Sequence, residues 1–273
     1  MLKDITLGQY FPGDSLLHGL DPRMKIILTG LYITSVFSAK NVYCFAYVAV
    51  FTAALILISK IPVKTVLKGI KPLIFIVTFT AAINIFWTKG GEQLFKFYFI
   101  EIYSEGIMFA VLMIVRIIAL LSGTSVVLTY TTSPIALTDG LEQLMNPLKK
   151  IKAPVHEFAM MMTIALRFIP TLIEETDKIM NAQKARGADF TSGSLARRAK
   201  ALIPVLIPLF VSAFRRADDL AVAMECRCYR VGNKRTRMTE LHYKPMDFIF
   251  LALFCSVIAL IIISNMFLPG FSI

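Results

Sequence analysis

The chain has 273 residues, 56% of them hydrophobic and only 17% charged, with a formal net charge of +11. A soluble domain averages about 25% charged residues and under half apolar ones. The composition therefore excludes an ordinary soluble enzyme and points to a membrane protein, whose positive balance suits one membrane face without requiring nucleic acid.

Taken in chain order, the entry MLKDITLGQYFPGDSLLHGLDPRMKI places acidic residues and turn signals ahead of any apolar run, so it does not read as a cleaved signal peptide. A helix needs about 20 largely apolar residues to cross hydrocarbon. Five stretches qualify or nearly do: Met24 to Ala39, Val42 to Ser59, Pro72 to Thr88, Gly106 to Thr131 (interrupted by Arg116) and Phe248 to Ile273. The first two form a tight hairpin around Lys40 and Asn41. Lys60, Lys64, Lys68 and Lys71 follow the second span with no acid among them, whereas Lys89 and Lys96 share the next loop with Glu92, Glu101 and Glu105. By the positive-inside rule the first loop is cytoplasmic and the second external, which puts the N-terminus inside and the C-terminus outside.

The segment Thr132 to Pro245 then lies in the cytoplasm, with 18 basic and 11 acidic residues. Three helices are expected in it. Ser133-Pro134 opens the first as an N-cap and N1 pair, and Asn146-Pro147 ends it. Pro154 opens the second, which Gly187 stops. The third runs from about Leu195 to Tyr229 after the turn Ser192-Gly193-Ser194. Each of the last two has an apolar first half and a charged second half. Pro170, Pro204 and Pro208 imply kinks in them.

No catalytic constellation emerges. His18, His156 and His242 are far apart in sequence, and no GxxxxGK[ST] phosphate loop occurs. Cys226 and Cys228 lack neighbouring ligands for zinc, so no metal site is expected. All four cysteines, Cys44, Cys226, Cys228 and Cys255, read as free thiols. Arg116 is an intramembrane cation and so a candidate for a structural or functional role, with backbone carbonyls or Asn84 as its expected partners. The two most specific features are AQKARGADF and AMECRCYR. Each closes a long helix with an arginine between two small residues: Arg186 between Ala185 and Gly187, and Arg227 between Cys226 and Cys228. An arginine at a helix C-terminus suits the dipole, but a matched pair with a rigid fork of donors suits docking onto two similar partners. Consecutive Met160, Met161 and Met162 offer an adaptable surface.

The entry GQYFPGDSLLHGLDPRMKI, the stretch RFIPTL and the two arginine motifs resemble the transmembrane T component (EcfT) of energy-coupling factor (ECF) importers, across essentially the whole chain. The resemblance implies an all-α membrane protein of about five transmembrane helices with three cytoplasmic coupling helices, the last two long and crossing. Residues 1–131 would form a membrane domain, 132–245 the coupling helices, and 246–273 the fifth span. It further implies a non-catalytic subunit of a bacterial cell-membrane importer for vitamins or micronutrients. Ala185, Arg186, Gly187, Cys226, Arg227 and Cys228 would dock on two similar ABC ATPase subunits, which would hold ATP and magnesium while this chain holds no cofactor. Met160, Met161, Met162, Pro204 and Pro208 would meet a substrate-binding membrane S component. The second motif departs from the family pattern, with cysteines where alanine and glycine are usual. The alternative is a self-contained channel or secondary transporter using Arg116, for which inverted repeats and broken spans would be expected; the sequence displays neither. A membrane enzyme is a more distant third, lacking any visible nucleophile-base set.

Overall fold

Proline and aspartate set the first helix boundary. The structure is a computed structural model and describes residues 10–88, 90, 93–97, 100–151, 154–190, 192, 194–229 and 240–267. Helix α1 (Pro22–Ser38) begins with the fixed φ of Pro22, while the Asp21 carboxylate accepts from the Arg23 N–H at 2.9 Å. Helix α2 (Val42–Ser59) ends at Lys60, whose left-handed φ of 55° turns the chain. Helix α3 (Val63–Ile70) runs through a short 3-10 turn, Lys71–Leu73, into α4 (Ile74–Trp87). Two antiparallel strands follow, β1 (Gln93–Phe97) and β2 (Ile100–Tyr103). Then come α5 (Ser104–Thr124), which continues as π-helix through Ser125–Thr129, and α6 (Pro134–Leu144). The Ser133 hydroxyl accepts from the Ala136 N–H at 3.2 Å, capping α6 in front of Pro134 as its sequence requires. After a 3-10 segment, Asn146–Ile151, the chain forms two long helices, α7 (Val155–Ala185) and α8 (Leu195–Cys226), and closes with α9 (Pro245–Phe267).

The chain is thus an all-α membrane protein, with one small hairpin among the described residues. That hairpin lies in the stretch expected from sequence to be a plain external loop. The alternation Ile-Glu-Ile-Tyr at 100–103 has the period of a strand, but four residues are too few to announce one.

The chain forms two compact units, Gly8–Leu144 with Leu241–Ile273, and Met145–Glu240. The division between these units falls after α6. The reason is close packing. A Cβ on Gly140 of α6 would lie 3.0 Å from the Pro22 Cβ and 3.2 Å from the Arg23 nitrogen, so glycine lets α6 approach the start of α1 without crowding it.

Within the first unit α1 is central and packs against α9, α5, α6 and α2. Its Leu28, Tyr32 and Val36 are fully buried, beside Leu55 of α2 and Phe254 and Ile261 of α9. The Tyr32 hydroxyl donates to the Ala119 carbonyl at 2.8 Å and lies 2.6 Å from the Thr52 hydroxyl, joining three helices in the interior. A Cβ at Gly123 would come 2.3 Å from the Tyr32 ring, so the glycine makes room for it.

Among the described residues, five helical stretches are long and apolar enough to cross a membrane: Val42–Ser59, Val63–Trp87, Ser104–Thr129, Val155–Ala185 and Pro245–Phe267. This set differs from the sequence expectation in one member. With 17 residues, α1 spans about 25 Å, a little less than the ~30 Å hydrocarbon core. The apolar first half of α7 qualifies that helix instead.

The two ends of the first unit's chain meet at a buried carboxylate. Asp247, fully buried in the first turn of α9, accepts from the Asp21 N–H at 3.0 Å and the Lys244 N–H at 2.6 Å. Asp21 pairs with Arg23 at 2.9 Å, and Arg23 also donates to the Leu241 carbonyl and lies over the Tyr243 ring. Lys25, only 2% exposed, donates to the Thr131 carbonyl at 2.7 Å and to that of His18 at 3.2 Å. Removing the carboxylate would strand two buried N–H groups at about 1–3 kcal/mol each. Asp247→Ala is therefore expected to lower stability by about 3 kcal/mol, and Asp247→Asn, which keeps one acceptor, by less. Thermal unfolding of the detergent-solubilised chain checks this ordering; equal effects would show that the carbonyl acceptor is immaterial.

Candidate functional site: the ends of the two long helices

Helices α7 and α8 end in the same way. The last helical residue of α7, Ala185, is followed by Arg186 at φ −86°, ψ 6°, and then Gly187 at φ 87°. The Gly187 N–H donates to the Lys184 carbonyl at 2.9 Å, and the Ala188 N–H to that of Gln183 at 3.0 Å. This pair of bonds is a Schellman closure, which satisfies carbonyls that the helix itself leaves open. At the end of α8, Arg227 has φ −88°, ψ 15°, and Cys228 has φ 56°. The Cys228 N–H donates to the Glu225 carbonyl at 2.8 Å, and the Tyr229 N–H to that of Met224 at 3.0 Å. The small residue after each arginine thus occupies the left-handed position that closes the helix. Arg186, Gly187, Arg227, Cys226 and Cys228 are all exposed, as is Ala185. Among the described residues neither guanidinium has an ion-pair partner.

The two helices are fastened to each other by contacts that the sequence does not single out. Arg216 of α8 donates to Glu175 of α7 at 2.6 Å. Farther along, the Gln183 amide donates to the Pro204 carbonyl at 3.4 Å. The second contact is later on α7 and earlier on α8, so the helices run in opposing directions. Arg186 lies eleven residues beyond Glu175, and Arg227 eleven beyond Arg216. Eleven residues are close to three helical turns, about 16 Å. The two arginine ends therefore sit at equal distances on either side of one ion pair. The visible signal is the pair of charge clusters, Glu174-Glu175 and Arg215-Arg216, at that same spacing before each arginine; their opposite signs are the clue to the pairing.

The Pro204–Gln183 contact has a covalent origin. In a regular helix the Pro204 carbonyl would accept from residue 208, but Pro208 has no N–H to give. The Gln183 side chain supplies the missing donor. Pro204 and Pro208 are exposed, as are Met161 (59%) and Met162 (40%), while Met160 is half-buried.

Arg116 belongs to the other unit, with α1 and α2. It donates to the Ala39 carbonyl at 2.9 Å and lies 5.0 Å from the Phe45 ring centroid, so it caps the C-terminal end of α1, where a cation meets the helix dipole favourably. Of the two expected partners the carbonyl is the one used; Asn84 instead donates to the Thr80 carbonyl. His18 bonds Ser15 at 2.6 Å and the Phe11 carbonyl at 2.9 Å within the entry segment. Among the described residues no group of three or more His, Cys, Asp or Glu side chains is placed to hold a metal ion. All four cysteines are free.

The chain has known relatives. Residues 13–240 match the family model of the cobalt transport protein family, CbiQ. The chain is 55% identical over 250 residues to the energy-coupling factor transporter transmembrane protein EcfT of Clostridium kluyveri, covering 91% of this chain and 92% of the relative. It is 56% identical over 247 residues to the EcfT of Ruminiclostridium cellulolyticum, covering 90% and 92%. With the EcfT of Bacillus subtilis the identity is 49% over 247 residues, covering 90% and 93%. The chain belongs to the EcfT family. It is a transmembrane component of an energy-coupling factor transporter, a multi-subunit assembly.

Within the EcfT frame the two helix ends are alike in shape but not in strain. A left-handed conformation costs a non-glycine residue roughly 1–2 kcal/mol, and Cys228 bears that cost where Gly187 does not. Cys228→Gly should therefore stabilise the end of α8 by about 1 kcal/mol, and Gly187→Ala should loosen the end of α7 by a similar amount. Slower amide exchange at Tyr229 in the first variant and faster exchange at Ala188 in the second are the expected readings.

Proposed function

We propose that this EcfT-family chain is the coupling subunit of its transporter. Arg186 and Arg227 seat in two ABC ATPase subunits, a pair of similar chains, and the long helices carry ATP-driven motion to a substrate-binding S component that supplies vitamin or micronutrient specificity. The chain is non-catalytic and binds no cofactor; ATP and magnesium belong to the ATPases. The observation that carries this reading is the duplicated helix end: two exposed arginines on equivalent closures, equidistant from the Glu175–Arg216 pair. A matched pair of sockets is the natural complement of two exposed and equivalent cations. Arginine's planar fork suits carboxylate or carbonyl acceptors across such interfaces. The exposed Met161 and Met162, with the proline-loosened face of α8, form the surface offered to the S component.

In the membrane, α1 crosses and α7 does not. Two features support this. α1 is buried among α2, α5 and α9, three spans it must accompany through the bilayer, and its charges are confined to Arg23 and Lys25 in the first turn. α7 instead carries Glu174, Glu175, Asp177, Lys178 and Lys184 in its second half, each expensive in hydrocarbon. With α1, α2, α4, α5 and α9 crossing, the basic residues Lys60 to Lys71 face the cytoplasm together with the N-terminus and the long helices. The C-terminus is outside. The protein resides in the bacterial cell membrane.

Charge reversal tests the docking role. Arg186→Glu and Arg227→Glu should each lower copurification of the ATPase subunits about tenfold or more, as expected when a cation at a desolvated interface is inverted. The double variant should abolish transport while the chain still reaches the membrane. A double variant that copurifies with both ATPases at normal yield would refute the assignment. Uptake by the reconstituted chain with no ATPase present would favour a self-contained transporter.

A further inference from the structure

Apart from the helix ends, the first unit holds a cavity of about 840 Å³ where two candidate spans meet the surface. α2 ends at Ser59 and α9 begins at Pro245, and on the topology proposed above both helices leave the hydrocarbon here. Lys60 follows the first of these spans and Lys244 precedes the second, and both line the cavity with Asp14 and Tyr10 of the entry segment. Leu57 and Met246 line it too and are 74% and 43% exposed, so the cavity opens along apolar side chains that a bilayer would cover.

The two lysines are held in distinct ways. Lys244 Nζ donates to the Gly19 carbonyl at 3.0 Å, which fixes the ammonium at the cavity wall and leaves it further donors. Lys60 occupies a left-handed conformation at φ 55°, a place where glycine or asparagine would be comfortable. That conformation closes α2, the Lys60 N–H donating to the Leu57 carbonyl at 3.2 Å, and it leaves the side chain as a cation beside the cavity. Two cations face one carboxylate, so the cavity complements a group with net negative charge. Lys64, Lys68 and Lys71 continue the basic edge in the chain that follows, and such juxtamembrane clusters attract anionic leaflets.

We infer that this cavity binds the headgroup of an anionic phospholipid, phosphatidylglycerol. Its phosphate lies between Lys60 and Lys244, its glycerol hydroxyls donate to Asp14, and its acyl chains run along Leu57 and Met246. The charge balance favours this lipid over a zwitterionic one. A bound lipid of this kind would join the entry segment to the ends of α2 and α9, where Asp247 links only Asp21 and Lys244.

Native mass spectrometry of the full chain, released from vesicles of equal phosphatidylglycerol, phosphatidylethanolamine and phosphatidylcholine content, tests this. The wild type should retain phosphatidylglycerol in excess. Lys60→Gln and Lys244→Gln should each lower that retention about fivefold, the effect of one cation near an anionic surface. Lys60→Gly serves as the control for folding: it relieves the left-handed strain, so retention should fall while the melting temperature stays level or rises. Retention unchanged in all three variants, or a preference for either zwitterionic lipid, would overturn the proposal. A second arm adds inorganic phosphate or phosphatidylglycerol to the delipidated chain. Thermal stabilisation by the lipid alone supports a lipid site, and equal stabilisation by phosphate rejects it.

Discussion

A carboxylate with no access to water has to be answered by donors, and Asp247 is answered by the backbone on both sides of a large gap in sequence. Its two oxygens take the N–H groups of Asp21 and Lys244, one just before α1 and one just before α9. Asp21 is meanwhile occupied with Arg23, and Arg23 with the Leu241 carbonyl and the Tyr243 ring. The start of the first helix and the start of the last are therefore one structure. The insertion of α7 and α8 between them is possible because this clasp returns the chain to the same place after the excursion. Lys25 adds the Thr131 carbonyl to it, which brings in the segment that leads to α6.

Much of the fold is legible in the residues because a bilayer makes simple demands. Apolar runs announce α2, α4, α5 and α9, and Ser133-Pro134, Pro154 and Gly187 mark boundaries that lie within a residue or two of those in the structure. What is not legible is non-local. Nothing in the neighbourhood of Asp247 says that its partner is Asp21, and a charged residue beside an apolar run is ordinarily a flank and not a clasp. The two-stranded hairpin is too short to show a period. The close approach of α6 to α1 is eased by the missing side chain of Gly140, an absence that carries meaning only once its neighbour is known.

The candidate site shows the same division. The likeness of AQKARGADF and AMECRCYR is visible in the chain, as is the smallness of the flanking residues, but only part of the reason for that smallness is. From sequence the small residues belong to a pair of motifs suited to docking; the structure adds that Gly187 and Cys228 occupy left-handed positions needed to end their helices. Both can hold at once, because a helix that closes on itself in one residue leaves the preceding arginine at its tip, clear of the backbone. The Glu175–Arg216 pair, by contrast, cannot be derived from either helix alone. It belongs to their packing and converts two similar helix ends into a symmetric object.

The exchange at Pro208 has a mechanical meaning. A helix ordinarily sets its own curvature, since each carbonyl is satisfied by a donor four residues along the same backbone. In α8 that self-sufficiency fails at the Pro204 carbonyl, whose donor is the side chain of Gln183 on the neighbouring helix. Any bend of α8 at this point would therefore be governed partly from outside it. A displacement of α7 along its axis would pull on that amide and alter the angle of a helix whose own hydrogen bonds need not break. Curvature in one rod becomes a readout of position in the other.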